Sequence, residues 1–251
     1  MKLFDLTGKT ALVTGAARGL GKDMALALAE AGADIALVTN SSSAEEAKAA
    51  VEQAGRKAVV IQADLGDEAQ LQRVVQETVD GLGRIDILLN NAGIIRRTPA
   101  ADHALADWQA VLDVNLSATF VLCQAAGRLM LEQGSGKMIN IASMLSYQGG
   151  INVPGYTASK HAVAGLTKAL ANEWAAKGVQ VNAIAPGYMA TDNTQALRED
   201  PIRSKSILER IPAGRWGSGE DLKGAAVFLA SSASDYVSGH VLNVDGGWMV
   251  R

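Results

Sequence analysis

The sequence predicts a doubly wound α/β domain, a seven-stranded, mostly parallel sheet with helices on both faces. Three observations predict it. Short β-branched or aliphatic runs recur seven times along the chain, Ala-rich segments of helical periodicity lie between them, and a glycine-rich turn joins the first run to the first helical segment. Strands separated by helices form βαβ units, whose crossovers make neighbouring strands parallel.

The strand-like runs, in order, are TALVT (10–14), DIALVT (34–39), KAVVIQA (57–63), IDILLN (85–90), KMINIA (137–142), VQVNAIA (179–185) and HVLNV (240–244). Helical segments include GKDMALALAEAG (21–32), DEAQLQRVVQETVDGLG (67–83) and PGYTASKHAVAGLTKALANEWAAKG (154–178). Gly32, Gly55, Gly83 and Gly178 follow helical runs and suit C-terminal caps. No Pro/Ser-rich linker, low-complexity tract or solenoid repeat interrupts the pattern, so residues 1–251 read as one domain.

With 48% apolar and 20% charged residues and a net charge of −3, the chain has an ordinary globular composition. It has no basic block, which argues against nucleic acid and anionic membrane as partners. The single cysteine, Cys123, lies in the apolar run TFVLCQAA and reads as a buried small hydrophobe rather than a nucleophile. His103, His161 and His240 lack metal-ligand spacing, so no metal site is expected. The N-terminal stretch lacks a signal-peptide core and no run of about 18 apolar residues occurs. The expectation is a soluble, cytoplasmic protein.

The turn after the first strand has the spacing G-x-x-x-G-x-G, with Gly15, Gly19 and Gly21. Such glycines let the backbone turn tightly and approach a pyrophosphate, while the helix N-terminus offers free N–H groups. In strict NAD binders the second strand ends in an acid that bonds the ribose hydroxyls. Here Thr39, Asn40 and Ser41 stand in that place. Arg18 reads in two ways, as a partner for a 2′-phosphate or as a solvated loop arginine. In open α/β sheets ligands bind beyond the carboxyl ends of the strands. Those ends carry Gly15, Asp64 (placed to meet an adenine amino group), Asn90 to Gly93, Ser143 and Pro186 to Thr191, which together predict one extended groove.

Tyr156 and Lys160 are i and i+4 on a helix whose apolar stripe is Val163, Leu170 and Trp174. They lie about 40° apart around the axis, and Lys160 falls toward the stripe, so their heads can share a partly desolvated site. A tyrosine titrates near 10, and lowering that to about 7 needs roughly 4 kcal/mol. A nearby ammonium and a positively charged nicotinamide have the right sign. Ser143 is placed to hold a substrate oxygen. Asn115, in LDVNLSATF, is either an anchor for a proton-relay water or a core amide satisfied by backbone.

TGAARGLG (14–21), NNAG (90–93), Asn115, Ser143, YTASK (156–160) and PG (186–187) resemble the short-chain dehydrogenase/reductase family in order and spacing, over essentially the whole chain. The resemblance implies a Rossmann fold, a homo-oligomer that is commonly a tetramer, and a Ser143–Tyr156–Lys160 triad with Asn115 as fourth member. It implies that Tyr156 removes the alcohol proton while hydride passes to the nicotinamide. Lys160 would bind the nicotinamide ribose and lower the tyrosine pKa. The implied cofactor contacts are Gly15, Arg18, Gly19, Leu20 and Gly21 in the turn and Thr39 and Asn40 after the second strand. Asp64, Leu65, Asn91, Ala92 and Gly93 follow at the next two strand ends, with Tyr156 and Lys160 on their helix and Pro186, Gly187, Met189 and Thr191 on the carboxamide side.

Longer stretches, NNAGIIRR, NIASMLSYQGGINVPGYTASK, NAIAPGYMATDNTQALR and RIPAGRWG, look like the branch containing 2-deoxy-D-gluconate 3-dehydrogenase and 2-dehydro-3-deoxy-D-gluconate 5-dehydrogenase. That likeness implies a sugar-acid substrate and leans to NAD, whereas the residues after the second strand lean to NADP. The expected cofactor is NAD(H) or NADP(H). A sugar acid needs a cation in its pocket, and Arg96 is the first choice, ahead of Arg97, Arg203 and Arg215. The alternative is a surface arginine pair. Met144, Gln148, Asn152 and Tyr188 are expected to line the sugar site, and the polar segment 191–210 reads as a lid or a static helical flap. Competing functions are a 3-oxoacyl carrier-protein reductase, a gluconate 5-dehydrogenase and a catalytically silent nucleotide-binding protein. The weak basic content argues against the first, and the intact triad against the last.

Overall fold

The computed structural model describes residues 2–251. Its elements alternate from the start: β1 (Thr10–Thr14), α1 (Gly19–Glu30), β2 (Asp34–Thr39), α2 (Glu45–Gln53), β3 (Ala58–Gln62), α3 (Glu68–Leu82) and β4 (Ile87–Asn90). A long helical segment follows, α4 (Leu105–Leu112), a π turn (Asp113–Ser117) and α5 (Ala118–Gln133), then β5 (Gly136–Ile141), α6 (Pro154–Trp174) and β6 (Val179–Pro186). The chain ends with α7 (Gln195–Glu199), α8 (Pro201–Arg210), α9 (Glu220–Ala230) and β7 (Val241–Val244). All seven expected strands are present, shifted by at most two residues at an end.

The sheet order is β3-β2-β1-β4-β5-β6-β7, and every pairing is parallel. The order reverses between β1 and β4, so the two halves diverge there and open a crevice beyond their carboxyl ends. Both faces are covered, because successive strand residues point to opposite sides. Ile35, Leu37, Ile87 and Leu89 pack with Met24, Leu28, Leu222 and Leu229 of α1 and α9. Ala36, Val38 and Leu88 pack on the other face with Val74, Leu122 and Trp174 of α3, α5 and α6.

The helix running from Leu105 to Gln133 is long and apolar enough to cross a membrane by length and composition. Leu122, Cys123, Ala126 and Met130 are buried in the second core, so that apolarity is used in packing. α5 comes so close to α6 that a Cβ built on Gly127 would meet the Trp174 ring at 2.8 Å. Gly83 and Gly178 take φ of 85° and 84° just after helical turns, the left-handed conformation that glycine adopts without a Cβ penalty.

Candidate active site

A cavity of about 650 Å³ lies along the carboxyl ends of the strands. Every residue expected to contact a cofactor lines it, from the glycine turn through Thr39, Asn40, Asp64 and Leu65 to Met189 and Thr191. Also lining it, and missed from the sequence, are Ile94 and Ile95 beyond β4 and the turn Asp192 to Thr194 beyond β6. The first two directly follow NNAG, a signal that could have included them.

The glycine turn is sewn to the end of β4. Thr14 Oγ1 accepts from the main-chain N–H groups of Asn91 and Ala92, each at 3.0 Å. Asn91 Nδ2 in turn donates to the carbonyls of Thr14 (3.0 Å) and Gly15 (3.2 Å). Asn91 is therefore a brace as well as a wall of the cavity. A Cβ on Gly21 would collide with the Gly15 carbonyl oxygen and Asn91 Nδ2, so only glycine closes this seam.

Beyond the turn, α1 begins without a side-chain cap and without an acidic residue in its first turn. Its free N–H groups and partial positive charge are left for an anion. At the neighbouring strand end Thr39 Oγ1 donates to the Ser42 carbonyl (2.8 Å), and Asp64 accepts from Gly66 N (2.9 Å). An anion-seeking helix end, hydroxyl and amide groups at one end, and a phenol and an ammonium at the other fit a nicotinamide dinucleotide.

At that other end, β5 delivers Ser143 as the cap of a short turn, its Oγ accepting from Leu145 N at 3.1 Å. Ser146 completes a reciprocal cap by accepting from Ser143 N (3.3 Å), and its hydroxyl also donates to the Lys160 carbonyl (2.6 Å). This fastens the Ser143 turn to α6. Lys160 is 4% exposed, with Nζ donating to the Ile141 carbonyl at 2.6 Å and lying 5.6 Å from the centre of the Tyr156 ring.

Burial pulls the Lys160 ammonium down to about 8. Burial is also the largest influence on Tyr156, and it raises the phenol pKa. A hydrogen bond from Ser143 and the positive charge of Arg97 act in the lowering direction. Lys160, held by the Ile141 carbonyl, keeps its ammonium 5.6 Å from the Tyr156 ring centre, where its positive charge has the lowering sign.

Asn115 sits in the π turn, 1% exposed. Its Oδ1 accepts from Ile94 N (2.8 Å), and its Nδ2 donates to the Ile94 carbonyl (3.0 Å) and Ser159 Oγ (3.2 Å). The core-amide reading is the one its side chain follows. It clamps the exit of β4 against α6, and a Cβ on Gly93 would come 3.3 Å from its Oδ1 and 3.9 Å from Lys160 Nζ.

The residues expected at the sugar site lie partly along the cavity and partly outside its lining. Arg96 lines the cavity but its Nε pairs with Asp107 at 3.4 Å. Arg97 instead donates to the Asn193 carbonyl (3.0 Å), and its charge reaches Tyr156. Met144, Gln148, Asn152 and Tyr188 are not among the lining residues of the cavity. Met144 is buried with Ile207, Ile211 and Trp248, against which Tyr188 packs edge-on at 4.7 Å. Gln148 accepts from Arg210 (3.4 Å), and Asn152, at φ 62°, uses its carbonyl to accept from Thr98 N (3.0 Å). Met144 and Tyr188 thus pack in the cluster that supports α8. Arg215 grips Asp221 with two bonds, at 2.8 and 2.6 Å, and has a structural role. Arg18, offered as a phosphate contact, pairs with Asp192 at 2.7 Å.

A switch-point crevice with a glycine turn at one end and a Ser–Tyr–Lys set at the other defines a dinucleotide-dependent oxidoreductase. The comparisons narrow the class. The family model described as enoyl-(acyl carrier protein) reductase, one of the short-chain dehydrogenase models, matches residues 15–249. A 2-dehydro-3-deoxy-D-gluconate 5-dehydrogenase of Bacillus subtilis (strain 168) is 57% identical over 248 residues, covering 99% of this chain and 97% of its own. A solved structure from Agrobacterium tumefaciens with bound NADP is 52% identical with a TM-score of 0.93, each chain covered completely. A gluconate 5-dehydrogenase from Burkholderia cenocepacia J2315 in complex with NADP and tartrate is 41% identical, with a TM-score of 0.94 and coverage of 100% and 98%. The chain belongs to the short-chain dehydrogenase/reductase family.

Proposed function

We propose that this protein interconverts a secondary alcohol and a ketone on a small sugar acid, with NAD(H) or NADP(H) as hydride partner. The preferred substrate is of the 2-dehydro-3-deoxy-D-gluconate or 2-deoxy-D-gluconate type. The observation that carries this reading is the convergence of Ser143, Tyr156 and Lys160 on one end of a dinucleotide-sized crevice. The Bacillus subtilis relative's name supports the substrate class, and NADP in two similar structures supports the cofactor class.

The nicotinamide, when bound, supplies the hydride acceptor or donor. The chain supplies proton handling and position. Ser143 turns its hydroxyl proton from Tyr156 to the substrate oxygen, while its own oxygen goes on accepting from Leu145 N–H. Tyr156 exchanges the proton on that oxygen. A phenol with a raised pKa is protonated at neutral pH and is ready to donate to a ketone. Alcohol oxidation needs the phenolate, which Arg97 and any further positive charge favour. Lys160 holds its end of α6 at Ile141 with one N–H and keeps two for ribose hydroxyls and proton exchange.

Arg97, rather than Arg96, takes the substrate carboxylate, because its charge reaches Tyr156, whereas Arg96 lines the cavity but pairs with Asp107. Tartrate, itself a dicarboxylate, in the Burkholderia structure is consistent with an acid ligand in that relative. We also take the protein to be a cytoplasmic homotetramer. Exposed Leu105, Phe120, Ile151 and Tyr236 support subunit contacts, and light scattering giving a monomer mass overturns that part.

The deciding experiment is a turnover panel with both cofactors: 2-dehydro-3-deoxy-D-gluconate and its 5-keto partner, 2-deoxygluconate, gluconate and a β-ketoacyl thioester. The first pair or 2-deoxygluconate should give the highest kcat/KM. Preference for gluconate would make this a gluconate 5-dehydrogenase, preference for the thioester a carrier-protein reductase, and no turnover at all a silent nucleotide binder.

A further inference from the structure

Arg18 and Asp192 come from opposite sides of the crevice. Arg18 precedes α1 on the glycine turn, and Asp192 opens the turn beyond β6, 174 positions later. They pair at 2.7 Å with side chains 72% and 73% exposed, and both line the cavity. This is the only hydrogen bond of either side chain among the described residues.

The placement of Arg18 decides what else it can meet. β1 and β2 are neighbours in register, Thr14 opposite Val38, so the glycine turn and the residues after β2 form one end of the cavity. The residues at and after the end of β2 that line it, Thr39, Asn40 and Ser42, include no carboxylate. Three cations line the cavity: Arg96 is paired with Asp107, and Lys160 is buried against Ile141. Arg18 is therefore the cation available at the adenosine end. A guanidinium suits a phosphate as well as a carboxylate. The two anions repel each other when brought to the same guanidinium.

We propose that Asp192 is a specificity-determining residue, its carboxylate competing with an adenosine 2′-phosphate for Arg18. The competition weakens binding of the phosphorylated dinucleotide and leaves the unphosphorylated one nearly untouched. One chain can then accept both forms although no acid after β2 selects the free ribose. The inference rests on the reading of the cavity as a dinucleotide site.

The test is equilibrium binding of NADPH and NADH, followed by cofactor fluorescence, to the parent protein, Asp192→Asn, Arg18→Met and the double variant. Adenosine 2′,5′-bisphosphate and 5′-AMP, measured by calorimetry, serve as probes without a nicotinamide. Asp192→Asn should raise the NADPH preference about two- to five-fold, the size expected of an exposed ion pair, and 0.5 M salt should shrink the gain. The adenosine pair should show the same shift. In the Arg18→Met background Asp192→Asn should leave the ratio unchanged. An unchanged ratio in the single variant overturns the proposal, as does a gain that survives without Arg18, and in both cases the dinucleotide reading stands. Failure to bind either dinucleotide overturns both.

Discussion

The Lys160 ammonium donates to the Ile141 carbonyl at 2.6 Å while lying 5.6 Å from the centre of the Tyr156 ring. One hydrogen bond to a neutral carbonyl does not replace the hydration of a buried ammonium, so the charged form is costly. The effect should show as stability. In the unfolded chain lysine keeps its proton to about pH 10.4. In the fold it loses it near 8. Between those values the unfolded state binds more protons, so stability rises with pH, by roughly 3 kcal/mol across the whole interval. Urea unfolding at pH 7.5 and 9.5 should show this rise in the parent protein relative to Lys160→Met. The variant should also be as stable as the parent, or more so, at pH 7.5 while losing turnover. Equal pH dependence in both proteins would place the Lys160 pKa at its ordinary value.

Arg97 and Arg96 should separate in kinetics. Arg97 acts on Tyr156 in the lowering direction, so Arg97→Met raises the phenol pKa further. Alcohol oxidation needs the phenolate, and its rising pH limb should move to higher pH. Arg97→Met should also raise KM for the sugar acid about ten-fold or more, the loss of a charge-assisted pair, and leave KM for a neutral alcohol analogue nearly unchanged. Arg96→Met, which gives up only an exposed pair with Asp107, should do neither. Matching profiles for the two variants would remove Arg97 from the substrate site.

Asn115 is a hydrogen-bonding clamp, and its substitutions should read as such. Asn115→Ala leaves the N–H and carbonyl of Ile94 without their side-chain partners and should cost about 1–3 kcal/mol. Asn115→Asp keeps the acceptor for Ile94 N–H but turns a carboxylate oxygen toward the Ile94 carbonyl. That carboxyl gains by being protonated in the fold, so its pKa is raised. Its contribution is present at low pH and is lost as pH climbs through the folded value. Denaturation at pH 4.5 and 7.5 should show Asn115→Asp recovering relative to the parent at the lower pH.

The fold was legible in the sequence because parallel strands covered on both faces read as uninterrupted apolar runs, and TALVT, DIALVT and KMINIA are of that kind. The Tyr156–Lys160 relation was legible too, since helical spacing alone sets it. The different partners of Arg96 and Arg97 were not legible, because residues 91–99 follow no regular period that would orient either side chain. The Arg18–Asp192 pair is a contact 174 positions apart between exposed charges, with no local signature. Met144 adjoins Ser143 and Tyr188 follows the end of β6, but Trp248 arrives from the far C-terminus and draws them into packing. Asn115 lies in a π turn within an apolar helix, and propensity there reads as unbroken α-helix.

Gly21 and Gly19 are two positions apart in one turn and should fail differently. A Cβ on Gly21 runs into the Gly15 carbonyl oxygen and Asn91 Nδ2, both parts of the seam between β1 and β4. Backbone cannot yield there without opening the Thr14–Asn91 bonds. Gly21→Ala should therefore cost about 1–3 kcal/mol as an overpacked site. Dinucleotide binding should be lost with it, because the loop that shapes the helix N-terminus moves. Gly19 has no atom within 4 Å of a built Cβ, and its φ is 57°. Gly19→Ala meets only the left-handed backbone penalty, about 1–2 kcal/mol. Its new methyl group stands at the cavity wall, where it hinders a pyrophosphate more than it disturbs the fold. Melting curves and NADPH titrations on the two variants should show the larger stability loss for Gly21→Ala and weakened binding for both. A Gly21→Ala protein that melts and binds like the parent would mean that the seam tolerates a side chain and does not set the turn.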